Sequence, residues 1–186
     1  MDSVRTLSES FLLVAASEMG DKTQLLAFVL ATRFRNPLAI IMGILTATIL
    51  NHGLAALLGS WVSRALPHDT LKWILGGLFI AFAGWILVPD KDEGRKVDDR
   101  WGAYVTTTIL FFLAEIGDKT QLATMALAAR FNSILWVTAG TTLGMLFSDG
   151  LAVIFGEKLT ERIPMNWIRR FSALLFVTFG VAVLMN

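Results

Sequence analysis

The stretch Glu18-Met19-Gly20-Asp21-Lys22-Thr23 decides how this chain folds, because it places three charged residues inside an otherwise apolar run. The same pattern returns 97 positions later as Glu115-Ile116-Gly117-Asp118-Lys119-Thr120. With that shift and no gap, Arg33-Phe34 aligns with Arg130-Phe131. Further identities at the same spacing are Gly43 and Gly140, Gly53 and Gly150, Gly59 and Gly156, and Pro67 and Pro164. An ungapped register of this length predicts that the chain consists of two duplicated halves.

The composition predicts that lipid surrounds much of the chain. Of the 186 residues, 55% are hydrophobic and 17% are charged, and the mean hydropathy is +0.63. A soluble domain normally carries about 25% charged residues. The net charge of +1 gives no general attraction to nucleic acid. Cysteine is absent, which excludes disulfides, thiolate metal sites and cysteine nucleophiles, so a metal must be held by oxygen or nitrogen ligands.

Six stretches have the roughly 20 mostly apolar residues that a helix needs to cross a bilayer. They are Leu7–Thr32, Leu38–Val62, Leu71–Val88, Ala103–Ala129, Ile134–Glu157 and Trp167–Met185. Each half holds three spans, an odd number, so the second half should enter the membrane upside down relative to the first. The predicted fold is an all-α integral membrane protein with six transmembrane helices in two inverted three-helix repeats. The first repeat covers residues 1–88, a charged linker 89–102, and the second repeat 103–186, together forming one membrane domain.

The distribution of lysine and arginine predicts the orientation. One side carries Arg33, Arg35, Lys91, Arg95, Lys96, Arg100, Lys158, Arg162, Arg169 and Arg170. The other side carries Arg5, Arg64, Lys72 and Arg130. We therefore expect the first set and the linker to be cytoplasmic and both termini to lie outside. All six tryptophans fall near predicted span ends, as interfacial anchors do: Trp61, Trp73, Trp85, Trp101, Trp136 and Trp167.

The acidic residues of the two motifs indicate a cation site. Glu18 and Asp21 are three positions apart and should share one helical face, as should Glu115 and Asp118. A charge at the centre of a transmembrane helix costs about 2.5–3.5 kcal/mol, so these side chains should face a polar cavity or one another. The four carboxylates give −4 and the two motif lysines return +2, which leaves −2 for one divalent cation or two protons. This balance favours metal–proton exchange.

Lys22 and Lys119 are accordingly predicted to balance charge at the site. The structural alternative is a buried ion-pair network that joins spans 1 and 4, with Glu18–Lys22 and Glu115–Lys119 as i,i+4 pairs. The glycine before each motif aspartate allows either a helix break that exposes backbone carbonyls or close helix packing.

Nearby polar side chains extend the candidate site and form a hard oxygen environment suited to Ca²⁺, Mn²⁺ or Mg²⁺. The further metal-ligand or proton-relay candidates are Gln24, Gln121, Asn51, Asp149, Thr23, Thr120, His52 and Ser148. Small residues recur every four positions and form a ridge on each of spans 2 and 5, where another helix can approach closely. The ridges are Gly43, Ala47, Asn51, Ala55 and Gly59 in span 2, and Gly140, Gly144, Ser148, Ala152 and Gly156 in span 5. Asn51 and Ser148 occupy their centres. His52 in the first half corresponds to Asp149 in the second.

Two Glu-x-Gly-Asp-Lys-Thr motifs, one in each three-span half, resemble those of the family of small Ca²⁺/Mn²⁺:cation antiporters. The resemblance covers nearly the whole chain, and the short length is similar to the bacterial manganese-exporter branch. It implies that Glu18, Asp21, Glu115 and Asp118 bind the transported ion. It further implies a bacterial inner-membrane protein that exports Mn²⁺, or alternatively Ca²⁺, from the cytoplasm in exchange for H⁺ or Na⁺, without a cofactor.

Two other functions fit the sequence less well. A compact exporter of organic solutes such as amino acids would need a larger pocket than closely packed ridges allow. An intramembrane aspartyl enzyme would need two aspartates that share a proton, but a lysine follows each of Asp21 and Asp118 and favours the ionised form. We therefore predict a non-enzyme whose partners are a divalent metal ion, H⁺ or Na⁺ and the lipid bilayer, with no nucleic acid. A homodimer is a further alternative.

Overall fold

The computed structural model describes residues 3–88, 100–155 and 165–185, and of Met165 only the backbone. Within these ranges the chain forms eight helices. They are α1 (Ser3–Glu18), α2 (Lys22–Phe34), α3 (Pro37–Ala65), α4 (His68–Ile86), α5 (Gly102–Glu115), α6 (Lys119–Phe131), α7 (Ile134–Phe155) and α8 (Met165–Met185). Most of the predicted linker, the end of predicted span 5 and the basic residues Lys91, Arg95, Lys96, Lys158 and Arg162 lie outside the described residues.

Four of these helices are long and apolar enough to cross a membrane, namely α3, α4, α7 and α8. Their bounds match predicted spans 2, 3, 5 and 6 to within a few residues where the structure describes them. The all-α class and the membrane-type composition of these helices are therefore confirmed.

Predicted spans 1 and 4 are each divided into two helices at the motif. The 16 residues of α1 cover about 24 Å at 1.5 Å per residue, which is short of the roughly 30 Å hydrocarbon core. The same holds for α2, α5 and α6, which have 13, 14 and 13 residues. Of the two roles considered for the motif glycine, the structure shows the helix break.

The two halves pack together because a helix of each half lies against a helix of the other half. Helix α1 lies against α7 of the other half, where a Cβ on Gly144 would be 2.7 Å from the Phe11 carbonyl oxygen and 2.9 Å from the Ala15 nitrogen. Helix α5 lies in the same way against α3, where a Cβ on Gly43 would be 2.7 Å from Thr107 Cβ. The ridge of each half is therefore in contact with a helix of the opposite half that ends at a motif glutamate, α1 or α5.

Corresponding residues of the two halves meet in the interior. Thr48 in α3 donates to the Met145 sulfur in α7 over 3.0 Å, and these residues are 97 positions apart. The rings of Phe79 in α4 and Phe176 in α8 have centroids 6.2 Å apart and are separated by the same interval. A residue can contact its own counterpart in this way where a two-fold axis relates two units.

Helices α4 and α8 run antiparallel. Gly76 at the middle of α4 lies beside Leu184 at the end of α8, whereas Phe82 near the end of α4 contacts Phe176 at the middle of α8. Phenylalanine rings fill the space between them in edge-to-face and tilted contacts that suit aromatic pairs. This apolar layer lies on one side of the motif helices.

The four basic residues that the sequence assigned to the less basic side, Arg5, Arg64, Lys72 and Arg130, lie near one another. Arg130 lines one cleft with Arg5 and a second cleft with Lys72. Arg64 donates to Ser60 over 3.5 Å, beside the end of α6. All six tryptophans are at least 40% exposed and lie within five residues of a helix end, as interfacial anchors should.

We predict that Gly144→Ala lowers the thermal stability of the purified protein. The added methyl group would overlap the α1 backbone, and overpacking of this kind costs about 1–3 kcal/mol. Thermal unfolding in detergent, followed by tryptophan fluorescence, measures the shift in melting temperature. The matched control is Gly77→Ala, because nothing lies within 4 Å of a Cβ at that helical position. Equal melting temperatures for the two variants would contradict the close α1–α7 approach.

Candidate metal centre

Both motifs form the same backbone break. Helix α1 ends at Glu18, Gly20 has φ 80°, and Asp21 is the extended residue that precedes α2. In the second half Gly117 has φ 76° and Asp118 precedes α6 in the same way. A left-handed φ is accessible to glycine without steric cost, which explains why glycine stands at this position of both motifs. Each acidic pair therefore flanks a break, whereas the sequence analysis placed it on one helical face.

Hydrogen bonds between the motif glycine and the glutamine that follows the motif stabilise the break. The Gly20 nitrogen donates to Gln24 Oε1 over 3.0 Å, and the Gly117 nitrogen donates to Gln121 Oε1 over 2.8 Å. The Gln24 amide also donates to the Ser148 carbonyl over 3.0 Å, which ties α2 to α7. Gln24 and Gln121 are thus bonded to the glycine of their break and Ser148 is bonded to Gln24, while a role as metal ligand or proton relay stays a prediction for all three.

Lysines of each motif pair with the aspartate of the other motif. Lys22 Nζ lies 2.8 Å from Asp118 Oδ1, and Lys119 Nζ lies 2.9 Å from Asp21 Oδ1. The structural alternative placed the ion pairs within each half, whereas these pairs cross between the halves. The sequence could not show this reciprocity, because it depends on how the two breaks face each other.

Three motif carboxylates come close enough to share a cation. One oxygen from each of Glu18, Asp21 and Asp118 lies within 4.8 Å of the others, and all three side chains are buried. Glu115 is not part of this closest group, but it is fully buried and interacts electrostatically with Asp118 and Asp21. The four acids predicted from the motifs are thus gathered at the junction of the halves.

Each glutamate is oriented by a threonine of its own motif. Thr23 donates to Glu18 Oε2 over 2.6 Å, and Thr120 donates to Glu115 Oε2 over 3.0 Å. Among the described residues, the second oxygen of each glutamate, Oε1, has no hydrogen-bond partner although it is buried. A buried carboxylate oxygen without a donor is costly unless a cation or proton satisfies it. The threonines therefore hold each glutamate with one oxygen available.

A fifth acid joins this cluster. Asp149 on α7 is fully buried, and Glu18, Asp21 and Glu115 all interact with it electrostatically. Both of its oxygens are buried, and the Thr23 hydroxyl, which donates to Glu18, also lies close enough to interact with Asp149. Counted as ionised, the five carboxylates and two lysines give −5 and +2, a net charge of −3. The motifs alone gave −2.

The first half offers different groups at the matching place. His52 on α3 is fully buried, and neither ring nitrogen has a hydrogen-bond partner among the residues described. Its neighbour Asn51 donates to the Phe112 carbonyl of α5 over 3.0 Å, so the Asn51 amide nitrogen fastens α3 to α5. The two halves therefore place different side chains, an imidazole and a carboxylate, at this pair of matching positions.

Comparison with known proteins shows the family of the chain. A family model described as "Divalent cation/proton antiporter GDT1" matches residues 6–94 and 103–186, which cover both halves. The chain belongs to this family. It is a family of transporters, so the enzyme alternative is discarded, and the divalent cation is a substrate and not a cofactor.

Relatives occur in bacteria and plants. A Vibrio cholerae protein named "Putative manganese exporter" is 46% identical over 177 residues, which are 95% of this chain and 88% of the relative. The "GDT1-like protein sll0615" of Synechocystis is 31% identical over 91% of this chain and 92% of its own length. "GDT1-like protein 3" of Oryza sativa subsp. japonica is 30% identical over 95% of this chain and 72% of its own length. No solved structure matches the chain with significance.

We predict that Gly20→Ala and Gly117→Ala each destabilise the protein and weaken divalent-ion binding. A left-handed φ costs a residue with a side chain about 1–2 kcal/mol, and relief of that strain would move the neighbouring aspartate. Melting temperature and Mn²⁺ titration calorimetry measure the two effects. Gly84→Ala, in an open position of α4, serves as the control. Unchanged Mn²⁺ binding in both motif variants would show that the break does not position the acids.

Proposed function

We propose that this chain exports Mn²⁺ from the cytoplasm in exchange for protons and that the acid cluster at the two breaks is the transport site. The observation that carries the proposal is the meeting of Glu18, Asp21 and Asp118 within 4.8 Å, contributed by both halves and buried from solvent. Family membership supports divalent cation/proton exchange, and the name of the Vibrio relative supports manganese as the ion.

Glu18, Asp21 and Asp118 provide the first three ligands in this proposal. Glu115 and Asp149 complete the oxygen set, since both are fully buried and lie close enough to the other acids to interact with them electrostatically. Carboxylate oxygens are hard ligands that suit Mn²⁺, Ca²⁺ or Mg²⁺ and are poorly suited to Cu(I). The closely packed helices around them favour a bare ion over an organic solute.

Charge balance supports proton exchange at the same site. With all five acids ionised the net charge is −3, and no such charge can remain uncompensated in a low-dielectric interior. A divalent ion removes most of this charge, and protons on the same carboxylates remove it when the ion has left. Ion and protons would therefore occupy the cluster in turn, which is what exchange requires. Na⁺ is the alternative coupling ion.

The proposed architecture is six membrane crossings in two inverted repeats, 1–88 and 103–186, joined by a linker at 89–102. In this architecture α1 with α2 makes one crossing and α5 with α6 makes another. Contacts between corresponding residues support a two-fold relation, and the antiparallel run of α4 and α8 requires the axis to lie across the helices. Such an axis inverts one half relative to the other.

We further propose that the protein resides in the bacterial inner membrane with the linker in the cytoplasm and both termini outside. The gathering of Arg5, Arg64, Lys72 and Arg130 at one end supports this, because the more basic side is usually cytoplasmic and this end carries few of the basic residues. Alternating access would then expose the cluster to each side in turn as the halves move against each other.

Replacing a ligand should abolish exchange without preventing insertion. We expect Glu18→Gln and Asp118→Asn each to reduce Mn²⁺ flux at least about tenfold, since a missing charged ligand costs more than the 1.4 kcal/mol that corresponds to tenfold. The measurement is Mn²⁺ uptake into proteoliposomes with an imposed pH gradient, repeated with Ca²⁺ and with a Na⁺ gradient. Glu9→Gln is the control, because Glu9 pairs with Arg5 away from the breaks. Full flux in both ligand variants would remove the cluster from the mechanism.

Asp149 should contribute directly to ion affinity. We expect Asp149→Asn to weaken Mn²⁺ binding about tenfold or more, because it removes one of five charges around the ion while conserving side-chain volume. Titration calorimetry on the purified protein measures the dissociation constant. Asp69→Asn, an exposed substitution in the first turn of α4, is the charge-matched control. Equal affinities in the two variants would place Asp149 outside the ion's coordination.

A further inference from the structure

The two lysine–aspartate pairs use the same carboxylates as the proposed ion site. Lys119 binds Asp21 and Lys22 binds Asp118, and both aspartates belong to the group of three that lies within 4.8 Å. An ammonium group 2.8–2.9 Å from a carboxylate oxygen uses one of the lone pairs through which that oxygen would bind a metal ion at about 2.0–2.6 Å. An ammonium and a dication so close together would repel each other strongly.

We propose that Lys22 and Lys119 are tethered competitors of the transported ion, an inference that rests on the proposed function. In the ion-free protein each lysine holds the aspartate of the opposite half. A divalent ion that binds Asp21 and Asp118 breaks both lysine–aspartate contacts while the ammonium groups stay beside the cluster, so lysine–aspartate contacts and metal–aspartate contacts alternate.

This competition makes the site selective for ion charge. The two lysines together bring +2 to the two aspartates, which a single dication matches with shorter bonds to both. A Na⁺ ion brings +1, so it can replace one ammonium group but gains no charge over the lysine that it displaces. The tethered lysines therefore exclude monovalent cations more strongly than a cluster of carboxylates would by itself.

The two pairs are not equally accessible. The side chain of Lys22 is 22% exposed and its partner Asp118 4%, whereas Lys119 is 6% exposed and Asp21 is completely buried. The Lys22–Asp118 pair is therefore the more accessible of the two. An incoming ion should therefore meet the Lys22–Asp118 pair first and displace Lys119 second.

The test compares Lys22→Gln and Lys119→Gln with the wild-type protein in lipid nanodiscs. We expect each glutamine variant to bind Mn²⁺ at least about tenfold more tightly, because a charge-assisted competitor is gone and the cluster is more negative. We also expect Na⁺ at high concentration to weaken Mn²⁺ binding in the variants and not in the wild type. Lys72→Gln, distant from the acids, is the control.

A purely structural role for the lysines predicts a different result. In that case the glutamine variants would melt at lower temperature and bind Mn²⁺ no better than the wild type, which would overturn the inference. The proposed function would still stand if the wild type exchanged Mn²⁺ for protons. Absence of Mn²⁺ binding to the wild type would instead overturn the proposed function itself.

A measurement on the unmodified chain covers the case in which a variant does not fold. Amine acetylation with a membrane-impermeant reagent, quantified by mass spectrometry, reports how available each lysine is, with Lys72 as the internal reference. Saturating Mn²⁺ should increase the labelling of Lys22 relative to Lys72, because the ion releases its amine from Asp118. Labelling that stays constant or falls on addition of Mn²⁺ would contradict displacement.

Discussion

The packing of the two halves depends on the reciprocal ion pairs between the motif lysines and aspartates. A carboxylate within a membrane-type bundle is unstable unless a positive charge lies beside it, and here that charge comes from the opposite half. The two breaks must therefore face each other, and each motif helix must lie against the ridge of the other half. The small residues of α3 and α7 allow that approach, because larger side chains would collide with the backbone of α5 and α1.

The helix breaks give the acids their environment. Asp21 and Asp118 stand immediately before the first turns of α2 and α6, where the unpaired backbone N–H groups and the helix dipole favour negative charge. Glu18 and Glu115 are the last residues of α1 and α5, the end at which the dipole favours positive charge. A cation beside the glutamates would complement the carboxyl ends of α1 and α5, whereas the amino ends of α2 and α6 favour the ionised form of the aspartates. The break therefore helps to keep the aspartates charged and leaves a cation as the favourable neighbour of the glutamates.

The near two-fold arrangement is interrupted where Asp149 in α7 replaces His52 of α3. In the second half this position adds a charge that interacts with three motif acids, whereas in the first half it supplies a buried imidazole. Two equal halves would give an ion the same environment on each side of the axis. The substitution makes the cluster more negative on the α7 side, and the unequal exposure of Lys22 and Lys119 shows a second difference between the halves.

The sequence by itself determined the duplication, the helical class, the positions of the long apolar helices and the identity of the four motif acids. These follow from a fixed spacing, from apolar runs of known length and from the cost of a charge in lipid, none of which requires a three-dimensional arrangement. The tertiary structure decided which lysine pairs with which aspartate, that Asp149, one of several candidates in the sequence, lies beside the motif acids, and that the Gln24 amide joins α2 to the Ser148 carbonyl of α7. These features depend on contacts between residues more than 90 positions apart, and helical spacing describes neighbours only within a few turns. The i,i+3 rule placed Glu18 and Asp21 on one face because it assumes a continuous helix, and Gly20 with its left-handed backbone ends that helix between them.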